Sequence, residues 1–335
     1  MARYDFASDN TAPAAPEAMQ ALMEANSGFT SGYGTDEVSA RGADLVRELL
    51  DADAEVRFVG SGTAANAISL GALCRPFEAV LAHTHAHVCT DETGAPGYFG
   101  HGLGLISLPG ASGRIEPAAL AAALAQPDVS YRQSPAALSL TNATEYGTVY
   151  TAEALKALAA PVKARGYALH LDGARLANAA AAGFDLKAIR GLGVDILVLG
   201  GAKAGMPPTE AVVIFDRALA PRFDARLKQA GQLPSKARFF AAPFIGMLRD
   251  GAFLRHAAHA NAMAQRLAQN MPFPIRHAVQ SNGVFVDMDD ATLERLHAAG
   301  WFAYRFMDGT ARFMCSWATT PQAVDELCGT LTALA

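Results

Sequence analysis

Short apolar runs alternate along most of this chain with longer Ala-rich amphipathic stretches, and that alternation restricts the fold more than any other feature. The runs are Val56–Gly60, Ala79–His83, Gly104–Leu108, Ala137–Asn142, Ala168–Asp172, Ile196–Gly200 and Ala211–Phe215; between them lie stretches such as Thr63–Leu73, Pro117–Leu124, Ala152–Lys163 and Arg175–Ala182. Strands separated by helices need crossover connections, which predicts an α/β fold with a mostly parallel sheet and functional residues at the C-terminal ends of the strands. The exception is the pair Ile196–Gly200 and Ala211–Phe215. The residues between them are too few for a helical crossover, so these two strands should run antiparallel. A long helical stretch, Ala242–Leu267, then leads to a shorter β/α unit with strands near Gly283–Met288 and Ala311–Ser316. The expected division is a large domain over 1–240, N-terminal segment included, and a small C-terminal α/β domain over 241–335.

Composition narrows the function classes. Hydrophobic residues at 51% and charged residues at 18% describe a globular chain rather than a disordered one, and the net charge of −5 offers no basic footprint for nucleic acid. Cys74, Cys89, Cys315 and Cys328 form no CxxC pair, so neither a zinc knuckle nor a disulfide framework is expected, and a reducing cytoplasmic setting fits. The opening MARYDFASDN has no apolar leader and no later run is long enough to cross a bilayer, so no membrane association is expected.

Four segments carry chemistry. RFVGSGTAAN (Arg57–Asn66) reads as strand, Gly-rich turn and helix start, where free N–H groups and the helix macrodipole bind anions and Thr63 adds a hydroxyl. Its GxGxxA spacing also fits a dinucleotide site, but the next strand ends in HTHAH with no carboxylate for a ribose, so a phosphate monoester is the better guest. His83, His85 and His87, followed by Asp91, invite a metal reading; the HxHxDH spacing of zinc hydrolases is absent, and we assign no metal. A histidine here can instead be packed, or serve as an aromatic plate and acid/base group. In YALHLDGARLANA (Tyr167–Ala179) an apolar strand delivers Asp172 to its tip, with Arg175 just beyond. Such an Asp either caps the next helix or pairs with a protonated pyridine nitrogen. Lys203, in DILVLGGAKAGMPPTEAVVIF, follows an apolar strand among Gly201, Ala202, Ala204 and Gly205, where small residues leave room for a bulky ligand and burial would lower the amine's pKa, as a Schiff-base lysine requires.

Taken in order, GSGTAAN, the His87–Asp91 segment, LDGAR and GGAK resemble the fold-type-I enzymes dependent on pyridoxal 5′-phosphate (PLP). With FASDNTAPAAPEA, YGTDE (Tyr33–Glu37), AHVCTDETGAP (Ala86–Pro96), KQAGQLPSK (Lys228–Lys236) and ARFMCSWAT (Ala311–Thr319), the whole chain resembles the low-specificity L-threonine aldolase family. That resemblance implies a fold-type-I PLP-dependent transferase-like large domain and reversible cleavage of L-threonine and related L-β-hydroxy-α-amino acids, of the allo-threonine and phenylserine type, to glycine and an aldehyde. It implies that Lys203 carries PLP, Asp172 pairs with the pyridine nitrogen, His87 stacks on the ring, and Gly62 and Thr63 hold the phosphate. Ser8, Arg175 and Arg312 match positions that bind the substrate carboxylate or adjacent cofactor groups, and Asp91 would sit close to His87 and the substrate hydroxyl. A homodimer or homotetramer with active sites at the subunit interface is implied as well. Ala202 stands where relatives often carry Ser or Thr, and Pro207-Pro208 stiffen the loop, which bears on cofactor affinity. The competing readings are another fold-type-I PLP lyase working by β-elimination or an aminotransferase, a PLP-binding protein without chemistry, and a metal hydrolase using the histidine run.

Overall fold

The computed structural model describes residues 2–335. Its main sheet is built from β1 (Glu55–Val59), β2 (Glu78–His83), β3 (Gly104–Leu108), β4 (Ser134–Thr141), β5 (Ala168–Gly173), β6 (Ile196–Gly200) and β7 (Glu210–Ile214). They lie in the order β1-β7-β6-β5-β4-β2-β3. Strands β3, β2, β4, β5 and β6 pair in parallel, and β7 runs antiparallel to both β6 and β1. The reversal has the expected cause: residues 201–209 make only a 3₁₀ turn, Ala202–Ala204, before β7 begins.

Both faces of the sheet are covered, so its central strands read as unbroken apolar runs. In β6, Ile196 and Val198 share a cluster with Ile68, Val212, Ile214 and Phe223. Leu197 and Leu199 point the other way, into a larger cluster with Val46, Leu50, Phe244 and Met247. The helix after β1, Gly62–Leu73, is started by Ser61, whose hydroxyl accepts from the Ala64 N–H at 3.2 Å.

The single helical stretch expected over Ala242–Leu267 is two helices, Arg238–Arg249 and Ala252–Gln269. Gly251 separates them at φ +68°, a left-handed conformation that glycine adopts without a Cβ penalty. Phe244, Met247 and Phe253 pack into the large cluster, while Ala264 and Leu267 belong to a second one, so the helix Ala252–Gln269 passes from one core to the other. That second core lies on a small antiparallel sheet of β8 (Gly283–Val286), β9 (Tyr304–Arg305) and β10 (Ala311–Met314), ordered β8-β10-β9. The N-terminal segment also crosses between the cores. Phe6 is buried in the small one and its carbonyl accepts from Met314 N–H at 2.8 Å, whereas Ala15 and Ala18 lie in the large one.

The helix Pro16–Ala25 packs directly on Arg238–Arg249 at Gly246, where a Cβ would come within 2.0 Å of the Glu17 carbonyl oxygen. Gly246→Ala therefore forces the two backbones apart. We expect a loss of about 1–3 kcal/mol of stability, the usual range for overpacking, measured as a lowered Tm or denaturant midpoint. An unchanged midpoint would mean that this contact does not fix the helix spacing.

Candidate active site

At the C-terminal ends of the parallel strands lies a cavity of about 370 Å³ onto which Ser8, His87, Asp91, Arg175, Lys203 and Arg312 open. Gly62 and Thr63 begin the helix that follows β1, and Asp172 is buried at the tip of β5. Six of the residues singled out from the sequence thus share one cavity, while Gly62, Thr63 and Asp172 lie at strand ends without lining it.

Lys203 sits in the middle of the 3₁₀ turn after β6. Glycines permit that turn: a Cβ on Gly201 would meet the Thr209 carbonyl oxygen at 2.4 Å, and Gly205 has φ +99°. Burial lowers the amine's pKa, helped by the nearby Arg175 charge and opposed by Asp9, Asp172 and Glu210. The ammonium has no ion-pair partner among the described residues.

A chain of side chains runs from Asp172 to His87. Asn66, buried in the helix after β1, donates from one amide nitrogen to Asp172 Oδ2 and to Glu92 Oε1, each at 2.9 Å. Glu92 Oε1 in turn contacts His87 Nδ1 at 2.8 Å. The hydrogen bond to Glu92 raises the His87 pKa above its ordinary value, against desolvation and the Lys203 charge. Burial pushes Glu92 up despite His87 and Asn66. The pair therefore keeps a proton to higher pH than a free imidazole. Asp172 also accepts from Ala174 N–H at 2.9 Å, whereas the helix Leu176–Ala181 has Arg175 at its N-cap. Behind the pair lies Glu145, whose Oε1 accepts from His87 N–H at 3.0 Å and whose carboxyl is pushed up to about 7 by burial and by Asp172.

Asp91 lies close to His87, its N–H donating to the His87 carbonyl at 2.9 Å, and the structure adds a second acid that the sequence does not single out. Asp91 opens onto the cavity, but it is exposed and its carboxylate accepts from the Thr90 hydroxyl at 2.9 Å. The carboxylate that touches His87 is Glu92. The reason is local: one helical turn, His87–Thr90, ends at Asp91, and the chain then folds residue 92 back beneath the imidazole. The three histidines of the run do not share a strand face, since β2 ends at His83. His83 Nε2 lies 3.0 Å from the Gly110 carbonyl oxygen, and His85 Nδ1 lies 2.6 Å from the Tyr146 hydroxyl.

The two arginines differ in a way the sequence does not show. Arg175 makes a two-pronged ion pair with Asp9, at 2.6 and 2.8 Å, and Asn282 donates to the same carboxylate at 3.0 Å. Burial alone would raise Asp9; the guanidinium outweighs it and holds the acid at about 2. Arg312 has no carboxylate partner among the described residues. It lies over the Phe306 and Tyr304 rings, its Nη2 reaches the Ala7 carbonyl only at 3.4 Å, and its buried Nε is unpaired. Ser8 is the N-cap of a short turn, accepting from Asn10 N–H at 3.2 Å.

These residues fit PLP: a partnerless lysine among glycines, a buried aspartate steadied on both oxygens, and a glycine turn at a helix start. Buried polar atoms that the protein leaves unpaired, Glu145 Oε2 and Arg312 Nε, belong to residues lining the same cavity.

The sequence model of the family described as beta-eliminating lyase matches residues 5–291. The chain is 44% identical to a low specificity L-threonine aldolase from Pseudomonas sp. (strain NCIMB 10558), across 98% of this chain and 97% of that protein. A solved threonine aldolase from Leishmania major superposes with a TM-score of 0.93 at 30% identity, covering 99% of this chain and 100% of the other. Serine palmitoyltransferase from S. paucimobilis with bound PLP shares the fold, with a TM-score of 0.72 at 17% identity over 100% of this chain and 86% of that one.

Glu92→Gln removes the carboxylate against His87 Nδ1. The His87 pKa should fall, read from its ring resonances in an NMR pH titration; a titration unchanged from wild type would mean that the contact does not set the imidazole's charge.

Proposed function

The chain belongs to the beta-eliminating lyase family, alongside the low-specificity L-threonine aldolases, and from that premise we propose that it cleaves L-threonine and related L-β-hydroxy-α-amino acids reversibly to glycine and an aldehyde. The observation that carries this reading is a lysine without an ion-pair partner and an arginine without a carboxylate facing one cavity, with an imidazole held by a buried carboxylate between them. PLP, when bound, supplies the electron sink that receives the bonding pair as Cα–Cβ breaks.

Each residue then has a task. Lys203, its pKa lowered by burial, offers its amine as the cofactor's covalent anchor. Asp172, its oxygens fixed by Asn66 and the Ala174 N–H, presents negative charge for the pyridine nitrogen. Gly62 and Thr63 offer the N–H groups and hydroxyl of a helix start to the phosphate. Arg312, uncommitted within the protein, grips the substrate carboxylate with its planar fork; Ser8 stands beside it, and Arg175, already paired with Asp9, positions that floor. Gripping the carboxylate fixes rotation about Cα and so selects the bond to be broken. His87 keeps Nε2 for the cavity while Glu92 occupies Nδ1. In its neutral form it takes the proton of the β-hydroxyl, directly or through a water that Asp91 helps hold, and its flat ring packs on the cofactor. Because the His87 pKa is raised, the acid limb of the pH profile should sit above the ordinary imidazole range, and activity should increase with pH along that limb as His87 loses its proton.

We further place the active sites at the interface of a homodimer or homotetramer. Phe29 and Tyr33 project into solvent from the loop before the helix Glu37–Leu50, large rings that a second subunit would cover. Four free cysteines suit a cytoplasmic setting.

The test is product analysis with L-threonine: glycine and acetaldehyde in equal amounts are expected, whereas ammonia and a keto acid would establish β-elimination instead. Lys203→Ala should abolish the yellow absorbance and turnover; a borohydride-reducible adduct at another lysine would displace it. Arg312→Lys keeps the charge but loses the fork, so KM should rise more than kcat falls, and an unaffected KM would move the carboxylate site to Arg175. His87→Phe preserves a ring and removes the base. Cleavage should drop by about 10²–10⁴-fold with PLP binding intact, and near wild-type cleavage would leave His87 a stacking role alone.

A further inference from the structure

Glu210 opens β7 and stands in register with Val59 of β1 on one side and Gly200 of β6 on the other. Each neighbour leads straight into a glycine-rich turn: Gly60–Gly62 on the β1 side, and Gly201–Gly205 with Lys203 on the β6 side. The carboxyl is buried between them. Its Oε2 accepts from the Gly201 N–H at 2.6 Å, and its Oε1 faces Gly62, where an added Cβ would lie 3.9 Å away. The charged groups that face it are Lys203 from the turn after β6 and Asp172 from the tip of β5. The turn after β1 (Gly60, Ser61, Gly62, Thr63) contributes none. A carboxylate is an unexpected neighbour for a turn assigned to a phosphate, and the mechanism above gives it no task.

We propose that Glu210 takes up a proton from solution when the cofactor's phosphomonoester binds, so that a neutral carboxylic acid separates the two turns in the loaded enzyme. A dianion held by Gly62 and Thr63 repels a carboxylate at that position, and protonation removes the repulsion. The neutral acid keeps one oxygen for Gly201 N–H and gains an O–H donor beside the phosphate turn, where Ala202 brings no hydroxyl. Before binding, burial, helped by the Asp172 charge, pushes the carboxyl up to about 7 against the Gly201 and Ala202 N–H groups and the Lys203 charge, so the proton costs little near neutrality. Phosphate affinity is then linked to pH through a residue that touches no reacting bond.

The inference rests on the PLP reading, and the experiment separates the two. The full chain, stripped of cofactor, is titrated calorimetrically with pyridoxine 5′-phosphate, which lacks the aldehyde, and with pyridoxine, which lacks the phosphate. Buffers of different ionisation enthalpy count the protons exchanged. Above about pH 7 the probe is already a dianion, and one bound phosphate should take up close to one proton, while pyridoxine should take up none. Affinity for the phosphorylated probe should then fall about tenfold more per pH unit in the wild type than in Glu210→Gln, whose titration should show no uptake. Binding of pyridoxine 5′-phosphate to the wild type without proton uptake overturns the inference and leaves the cofactor intact; an identical pH slope in Glu210→Gln also overturns it. Failure of the probe to bind at any pH overturns both. Should Glu210→Gln fail to fold, the phosphate-dependent uptake is measured in Lys203→Ala, which removes the other nearby group able to gain a proton: uptake retained there supports the inference, and uptake lost there overturns it.

Discussion

The amide of Asn66 holds the site together. One nitrogen donates to two buried carboxylates, Asp172 and Glu92, that come from different parts of the chain. Without it, two like charges would face each other in a poorly solvated place, and the usual outcome is that one of them gives up its charge. With it, Asp172 keeps one oxygen on the amide and one on the Ala174 N–H, and Glu92 is free to hold His87. The same side chain thus fixes Asp172 relative to the Glu92–His87 pair. Asn66 can do this because the helix that bears it starts at the turn after β1, between the strand tips.

The charged groups around the cavity divide into one buried ion pair and two cations without such a partner. Arg175 and Asp9 neutralise each other with the help of Asn282. Arg312 and Lys203 have no such partners. Basic groups without an ion-pair partner around one cavity, with pKa values shifted by their surroundings, are the kind of arrangement found at functional sites. Burial dominates the lowered pKa values of Lys203 and Arg312.

Much of this was legible in the sequence. Strand positions could be read because apolar runs separated by helices leave few alternatives, and the antiparallel β6–β7 pair followed from a connection too short to cross over. Lys203 stood out because lysine among glycines after an apolar strand is rare in purely structural settings. What escaped was whatever depends on the path of a turn. Asp91 and Glu92 are adjacent in sequence, and only the end of the short helix His87–Thr90 decides which one lies under His87. Asn66 lay within a quoted motif, yet a buried amide in an apolar helix announces nothing without its partners. Asp9, Glu145 and Glu210 are acidic residues whose neighbours come from distant segments, so no local spacing marks them. The break at Gly251 was foreshadowed by the Asp-Gly pair, but helical periodicity continues across it.

The N-terminal segment has a mechanical consequence. Phe6 is anchored in the small core; Asp9 then grips Arg175, the Pro13 carbonyl accepts from the Trp317 indole at 2.7 Å, and Ala15 N–H donates to the Gly205 carbonyl at 2.7 Å, at the end of the turn that bears Lys203. The stretch from Phe6 to Ala15 thus ties the core on the small sheet to the floor of the cavity and to the lysine's own loop. The segment that holds the Asp9–Arg175 pair and reaches Gly205 is therefore joined at its other end to the small sheet, whose β10 carries Arg312. The arginine at one end of the cavity and the lysine at the other are thus joined by a single stretch of backbone as well as by the cavity wall.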